Sequence, residues 1–529
     1  MTRKKLLFEG DARQKMADGC GVVAQAVVTT LGPKGRNVAI EREYGRPMVV
    51  HDGVTVAREI ALEDQFENMG AELLIEAAEN TNDKAGDGTT TAILLANAIV
   101  QEGMRQVNNG ENPQIFKEEL RAGSERVIEY LTKISRPVDT TEEVASVATI
   151  ASTDPAIGKM VAHSFKQVGE DGAVTVDNGH SAETEAEFKE GLVIGKGYIT
   201  PYFITGENLK CEINDTRVFV TDQDITGIND IFPVLKALTD AGGKKIFIVA
   251  ANVTGQALGL LVQNKLQGNL NPLAIQAPGA GDRRYDILGD IAVSTGATIF
   301  SDKVGKKIAD FALGDLGAAD KVIADKNETV IIGGRGTIKG VKERVYRIKT
   351  EIEEAEGEFE KETLRERLAK LAGGIAVIYA GGSSETEVRD KRLRIEDAIN
   401  AAKAAMAEGV IPGGGVAMYH ARSVLTDKTI GDRILKRVLA EPVRRLLENA
   451  GAKPEEVLPH LDPASPEMIY NVVTNQMGNA YNMGVVDPLR VARMALENAV
   501  SVASMILTTD ATVGIVKEED DTAKARGIR

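Results

Sequence analysis

Residues 85–100 have the sequence AGDGTTTAILLANAIV, a glycine-rich turn that opens directly into an apolar segment. The run from Ile93 to Val100 is apolar on nearly every side, which predicts a deeply buried helix. Glycine lets backbone approach a phosphate closely, and the start of a helix offers unpaired N–H groups and a favourable dipole. The hydroxyl groups that follow add donors; they belong to Thr89, Thr90 and Thr91. A phosphate site therefore fits this stretch.

The carboxylate in the same turn, Asp87, could hold Mg²⁺, which favours one or two carboxylates together with phosphate oxygens. A plain glycine turn followed by a threonine helix cap would give the same pattern, so both interpretations stand at this point. The sequence contains no Gly-x4-Gly-Lys-Ser/Thr motif. If ATP binds here, it is not held by a P-loop.

Composition excludes several classes of protein. The chain has 529 residues, too many for one core, and a net charge of −15, which argues against a nucleic-acid binder. Cys20 and Cys211 are far apart and have no partners at metal-ligand spacing, so they are expected to be reduced thiols. The apolar run at the start is too short for a signal peptide, and no stretch has the roughly 18 apolar residues of a membrane span. We expect a cytoplasmic protein.

The middle of the chain differs in pattern from its two ends. Helical and strand-like segments alternate there, as in a layered α/β domain: residues 230–238, 245–250, 255–266, 272–276, 284–293 and 297–300. A charged stretch from Val341 to Leu371 predicts a pair of exposed helices, with the charge on a solvated face. Both ends are helical, which indicates an α/β module inserted into a helical one. The charged end, residues 517–529, is expected to be frayed.

Three further places could contribute to a site. The turn Thr29–Gly35 could hold part of a nucleotide, although such turns also end helices. Asp52 precedes Gly53 between a strand and a helix, where an exposed carboxylate could orient water, but in isolation a plain Asp-Gly turn is the favoured explanation. Asp397 lies about 200° around its helix from Ile395. It therefore lies away from the predicted apolar stripe of Ile395, Ile399, Ala402 and Met406, and faces either solvent or a cleft.

Eight collinear motifs carry a resemblance to a known family. They are residues 29–38 (TTLGPKGRNV), 52–59 (DGVTVARE), 66–70 (FENMG), 86–91 (GDGTTT), 201–204 (PYFI), 277–284 (APG and GDRR around Ala280), 370–374 (KLAGG) and 413–417 (GGGVA). Taken together, they resemble the group I, GroEL-like chaperonins of the 60 kDa chaperonin family. The resemblance extends from about residue 8 to about residue 516.

The resemblance implies a mixed fold in three domains. The equatorial domain, mainly α-helical, would be residues 1–133 and 408–529, and would bind ATP and make most ring contacts. A small α/β intermediate domain would be residues 134–189 and 376–407, and a layered α/β apical domain residues 190–375. Gly191 and Gly373-Gly374 stand at the two crossings, where hinges would lie. The implied activity is ATP hydrolysis coupled to protein folding, in stacked heptameric rings closed by a GroES-like co-chaperonin lid.

The resemblance also implies roles for particular residues. Asp52 and Asp397 would position or activate the attacking water, and Asp87 would bind Mg²⁺. The main chain of Thr30 and of His51, where the family usually has Lys, would bind K⁺. The other positions expected around ATP are Leu31, Gly32, Pro33, Gly53, Gly88, Thr89, Thr90, Thr91, Ile150, Gly413, Gly414, Asn471 and Asp487.

A groove for non-native client proteins and for the lid is expected in the apical domain. By resemblance it would be lined by Tyr198, Tyr202, Phe203, Phe232, Leu235, Leu258 and Val262. Burial in the α/β core would explain the same apolar residues, and for Leu235 and Leu258 the sequence leaves both explanations open.

Overall fold

The computed structural model describes residues 4–41, 47–50, 52–169, 173–179, 181–205, 209–355 and 357–515. The first part of the chain contains β1 (Lys4–Phe8), α1 (Glu9–Val28), β2 (Val38–Ile40), β3 (Met48–Val50), α2 (Gly53–Arg58), α3 (Gln65–Ala85), α4 (Thr89–Asn108), α5 (Pro113–Ile134), α6 (Thr141–Ser152) and α7 (Pro155–Val168). The middle contains β4 (Ala173–Asn178), β5 (Glu185–Ile194), β6 (Cys211–Thr221), β7 (Asp224–Ile225), α8 (Ile228–Asp240), β8 (Lys245–Ala250), β9 (Asn252–Val253), α9 (Gly255–Leu266), β10 (Asn271–Gln276), α10 (Gly281–Thr295), β11 (Ile299–Phe300), β12 (Gly317–Ala324), β13 (Thr329–Gly334), α11 (Ile338–Glu354), α12 (Glu358–Ala372) and β14 (Gly374–Ala380). The last part contains α13 (Glu385–Glu408), β15 (Val410–Pro412), α14 (Val416–Ala421), α15 (Ile430–Val438), α16 (Glu441–Asn449), α17 (Pro454–Val457), β16 (Met468–Asn471), β17 (Gln476–Asn479), β18 (Val486–Pro488), α18 (Leu489–Thr508) and β19 (Ala511–Ile515).

The chain forms two compact units, one of residues 1–162 and 393–529 and the other of residues 163–392. In the first unit, α1, α3, α4, α5 and α18 pack around one apolar core. Ile93, Leu95 and Ile99 of α4 are fully buried, as the apolar run predicted. The glycine-rich turn is therefore fixed to a helix that is anchored in the core of this unit.

The helix α18 is long and apolar enough to cross a membrane by length and composition. Its side chains, among them Leu496, Ala499 and Ile506, belong to the core of the first unit. The apolar character of α18 is accounted for by this packing.

The second unit is built on a mixed sheet in the order β10-β8-β6-β12-β13-β5-β14-β4, with β11 beside β6. The pairs β10–β8, β8–β6, β11–β6 and β14–β4 are parallel, and the pairs that join β6, β12, β13, β5 and β14 are antiparallel. Helices α8, α9 and α10 alternate with these strands in the chain. The predicted α/β alternation of residues 230–300 is confirmed.

The charged stretch forms the predicted helix pair α11 and α12, which pack through Ile348, Leu364 and Leu371. The prediction that its charge is only a solvated face is wrong in part. Arg344 donates to Asp290 Oδ1 at 2.7 Å, and Arg367 donates to both Asp290 oxygens at 3.0 and 3.2 Å, all three side chains being largely buried. This ion cluster ties α10 to α11 and α12, because a buried carboxylate needs its partners.

The glycines expected at the hinges lie within or next to strands. Gly191 pairs with Ile332 within β5, where a Cβ would overlap Ile375, and Gly373 follows the last residue of α12. Gly191 is thus required by close strand packing. The three-domain boundaries stay a prediction, and the charged tail lies outside the described residues.

Candidate functional site

The site is built around the first turn of α4. Gly88, the residue before this helix, has a left-handed backbone with φ +84° and carries no side chain to cap the turn. It is packed so closely that a Cβ would lie 2.6 Å from Val491 Cγ1 on α18. The N–H groups of a first helical turn have no partners within the helix. The core packing of α4 therefore presents a set of N–H donors at a glycine-lined end, beside the buried Thr89.

Asp52 is held by its own helix start. Its carboxylate accepts hydrogen bonds from Thr55 N at 2.8 Å, Thr55 Oγ1 at 2.7 Å and Val54 N at 3.3 Å. The next residue, Gly53, lies against the first turn of α4, where a Cβ would overlap Thr90 Oγ1. The start of α2 is thereby fixed beside the start of α4.

Asp87 lies between these two helix starts and accepts a hydrogen bond from the N–H of Gly88. Burial, together with the negative charge of Asp52, raises the pKa of Asp87 to about 6, although the hydrogen bond from Gly88 acts to lower it. The two carboxylates are therefore close enough to repel each other.

Asp397 faces the same place from α13, on the segment of that helix within the first unit. Burial, followed by the charges of Asp87 and Asp52, raises the pKa of Asp397 well above its usual value. The sequence left solvent and cleft as alternatives for this side chain, and in the structure it is close enough to Asp87 and Asp52 to be affected by their charges. The predicted stripe holds for Ile395, Ile399 and Ala402, but not for Met406, which is 40% exposed because Ala405 is the packed residue of the last turn.

A fourth carboxylate, Asp487, lies on β18, which pairs with β15 just before the triple glycine. The N–H groups of Gly414 and Gly415 donate to it, and a Cβ on Gly413 would come within 3.0 Å of its Oδ1. Burial and the charge of Asp87 raise the pKa of Asp487 to about 6. Gly414 and Gly415 therefore position a carboxylate and Gly413 leaves room for it, roles that the sequence alone did not indicate.

The arrangement suits a magnesium-bound polyphosphate. A divalent cation would relieve the repulsion among Asp52, Asp87 and Asp397, and the open N–H groups of α4 would face the accompanying anion. Among the described residues, no group of three or more His, Cys, Asp or Glu side chains has the geometry of a metal cage.

The turn after α1 is fixed from α16. Asn449 Nδ2 donates to the carbonyl oxygens of Val28 and Leu31, both at 3.0 Å. Gly32 has φ +84° and lies against Leu446, and Thr30 is buried, its hydroxyl donating to Val27 at 2.8 Å. Leu31 and Pro33 belong to the same turn. His51 lies outside the described residues, so the K⁺ site stays a prediction.

Two further predicted residues have local structural roles. Asn471 ends β16, and its side chain accepts the N–H groups of Val473 and Thr474 at 2.9 and 3.2 Å. Ile150 is half-buried on α6. Their expected contacts with adenosine stay a prediction.

The predicted groove residues divide into exposed and buried ones. Tyr202 is 63% exposed and Phe232 is 50% exposed, while Tyr198, Leu258 and Val262 are half-buried. Phe203 and Leu235 are in the apolar core of the second unit, with 0% and 6% exposure, so in this conformation they cannot line an open groove. Leu235 is buried because α8 packs its Ile231, Val234, Leu235 and Leu238 side inward.

Two exposed apolar residues at this place were missed. Ile228 lies four residues before Phe232 on α8, and Leu266 lies four residues after Val262 on α9. The i, i+4 spacing was the signal that could have found them. Helices α8 and α9 are in contact, so these residues extend one apolar surface.

Comparison with known proteins agrees with this fold. The family model of the TCP-1/cpn60 chaperonin family matches residues 23–517, and the chain belongs to this family. Two solved structures of the chaperonin gp146 from bacteriophage EL 2 (Pseudomonas aeruginosa), both determined in the presence of ATP-BeFx, are similar to it. In crystal form II the TM-score is 0.67 at 22% identity, covering 97% of this chain and 99% of that chain. In crystal form I the TM-score is 0.63 at 21% identity, with the same coverage.

These comparisons confirm the GroEL-like fold class and the chaperonin resemblance. Family membership supports a chaperone role and the use of nucleotide, and it implies ring assembly and client binding. The residues and partners that carry these activities are considered next.

Proposed function

We propose that this chaperonin hydrolyses ATP at the carboxylate cluster of the first unit and uses the cycle to capture and release non-native proteins. The observation that carries the proposal is the meeting of Asp52, Asp87 and Asp397 at the uncapped start of α4. The phage chaperonin was crystallised in the presence of ATP-BeFx, which supports nucleotide use by a similar fold.

Each group of the cluster has a proposed task. The first-turn N–H groups of α4, with Thr89, Thr90 and Thr91, bind phosphate oxygens, and Asp87 is the protein ligand of Mg²⁺. Bound Mg²⁺ supplies charge neutralisation and polarises the terminal phosphate. Asp397 accepts the proton of the attacking water or orients it, since its raised pKa makes the carboxylate a stronger base. Asp52 is already held by three donors and shares the water-positioning role.

The client surface is proposed to be the apolar face of α8 and α9. Ile228 and Phe232 contribute from α8, and Leu258, Val262 and Leu266 from α9, with Tyr202 beside them. Exposed contiguous apolar residues are costly in an ordinary soluble surface and fit binding of apolar segments in unfolded chains. The lid co-chaperonin is proposed to bind the same face, a point that rests on the resemblance.

Assembly is supported by the two-stranded sheet of β1 and β19. Leu6, Phe8, Val513 and Ile515 are all about half-exposed on it. An isolated two-stranded sheet is marginal in water, and its free edges can pair with another chain. We place a subunit contact here. The stacked heptameric ring, the domain boundaries, the K⁺ site and the cytoplasmic location follow from the resemblance and the sequence.

Particle size and ATPase activity test the proposal together. A large ring with slow, Mg²⁺-dependent ATP turnover that rises when an unfolded protein is added is the expected result. A monomer that hydrolyses ATP only with a small-molecule co-substrate would instead indicate a metabolic enzyme and overturn the proposal.

A further inference from the structure

One contact joins α13 to the glycine-rich turn of residues 85–88, called the phosphate turn below. None of the roles proposed above uses this contact. Asn400 Nδ2 donates to the carbonyl oxygen of Gly86, 3.3 Å away. Asn400 comes three residues after Asp397, and residues at i and i+3 share a helix face. The face of α13 that carries Asp397 therefore also binds the backbone of the turn that carries Asp87.

Helix α13 and the phosphate turn are in close contact over more than one turn of the helix. Gly86 ends α3 with a left-handed backbone, φ +72°, and a Cβ there would lie 2.5 Å from Asn400 Cβ. One turn further along α13, Ala404 packs with Ala85 in a small apolar cluster. Only glycine at position 86 allows this approach, because any side chain would displace α13.

An uncharged donor suits this position. The carboxylates of Asp397, Asp87 and Asp52 repel one another, which favours movement of α13 away from the turn. A lysine or arginine would attract these carboxylates and compete with a bound cation, whereas an amide attracts the Gly86 carbonyl without changing the charge of the site. Asn400 thus supplies a directional attraction where charge alone opposes contact.

We propose that Asn400 is a positioning residue that fixes α13 on the phosphate turn and so holds Asp397 in place for hydrolysis. The inference rests on the proposed function and adds a residue to it. Asn400 acts through the Gly86 carbonyl and not on the nucleotide. Its loss should therefore lower the rate of hydrolysis while leaving nucleotide affinity nearly unchanged.

The test compares Asn400→Ala, Asn400→Asp and the control Met406→Ala, a change at an exposed position on the same helix. Asn400→Ala should lower kcat about 3–10-fold, the usual effect of losing one hydrogen bond, with the Kd for Mg·ATP within about twofold of wild type. Asn400→Asp should be more damaging at pH 8, because it replaces the donor with another negative charge. Met406→Ala should keep the wild-type kcat.

The pH profile separates positioning from general damage. A protonated aspartic acid can donate to Gly86 again, so the ratio of Asn400→Asp to wild-type kcat should rise as the pH is lowered from 8 to 6. A ratio that stays flat, or a loss of affinity as large as the loss of kcat, would overturn the inference. Parallel assays of Asp397→Ala distinguish a failure of the Asn400 role from a failure of the proposed function. If that variant loses turnover and both Asn400 variants keep it, only the role of Asn400 is refuted; if Asp397→Ala keeps turnover, the proposed function itself fails.

Discussion

Replacement of Asp87 by Asn should make the nucleotide-free protein more stable, because it removes one charge from a crowded group of carboxylates. The pKa of Asp87 is about 6, against an ordinary value of 3.8. Two pKa units correspond to about 3 kcal/mol, and partial solvent access reduces this to about 1–3 kcal/mol. The native state binds the proton more tightly than the unfolded state, so the cost is absent below pH 3.8, grows up to about pH 6 and is fully present above it.

Thermal unfolding in a buffer that contains a chelator measures this cost. At pH 8 the Asp87→Asn protein should unfold about 1–3 °C above wild type, and at pH 5 the difference should be smaller. The control Glu111→Gln removes an exposed carboxylate just after α4 and should leave the midpoint unchanged at both pH values. The same Asp87→Asn protein should gain no stability from Mg·ATP, whereas wild type should gain several degrees. A variant that is less stable than wild type at pH 8, or a difference that does not change with pH, would refute the reasoning.

Three other predictions follow from the surfaces and from one buried histidine. Phe232→Glu should leave folding and basal ATPase intact, because the side chain is half-exposed, while abolishing the suppression of client aggregation; Tyr346→Glu, at an exposed position on α11, is the control. A Phe232→Glu protein that still captures clients would reject the α8–α9 surface. Val513→Glu should produce smaller particles in light scattering, whereas Val473→Glu, on the exposed β16–β17 turn, should not. Intact rings formed by the Val513→Glu protein would show that the subunit contact is not at the β1–β19 sheet. Burial lowers the pKa of His420 below 6.5, so stability should fall as the pH drops below 6.5, where the unfolded state takes up a proton that the native state does not. His420→Leu should remove part of this loss of stability at acid pH. An unchanged dependence of stability on pH would show that His420 is not its source.

The sequence predicted the elements and the carboxylate cluster well, because both leave local signals. The apolar run of α4 required burial, and the glycines before it required a turn, so the location of Asp87 followed. The 100° helical rotation was enough to place Asp397 off the apolar stripe. The family motifs then selected the cleft over solvent.

Periodicity failed where a helix is apolar on two sides. Ile231, Val234, Leu235 and Leu238 of α8 are buried, while Ile228 and Phe232 are exposed, and both sets have helical spacing. The sequence gives no means of choosing which set faces the sheet. The prediction also assigned Leu235 to the groove, because the hydrophobic character of a residue does not show which way its side chain faces.

Long-range polar contacts left no sequence signal at all. Asn449 fixes a turn more than 400 positions away, and Asn400 binds Gly86 across 314 positions. An isolated asparagine in a helix is ordinarily a surface residue. The largely buried Arg344 and Arg367 around Asp290 were likewise not distinguishable in the sequence from neighbouring surface charges.

The most direct test of the account is steady-state ATP turnover by Asp397→Ala, measured beside its Kd for Mg·ATP. The account predicts that affinity stays close to wild type while turnover falls by about 10²–10⁴-fold, the usual effect of losing a group that positions or activates water. Turnover equal to wild type in a protein that binds Mg·ATP normally would contradict the claim that this carboxylate cluster is where ATP is hydrolysed.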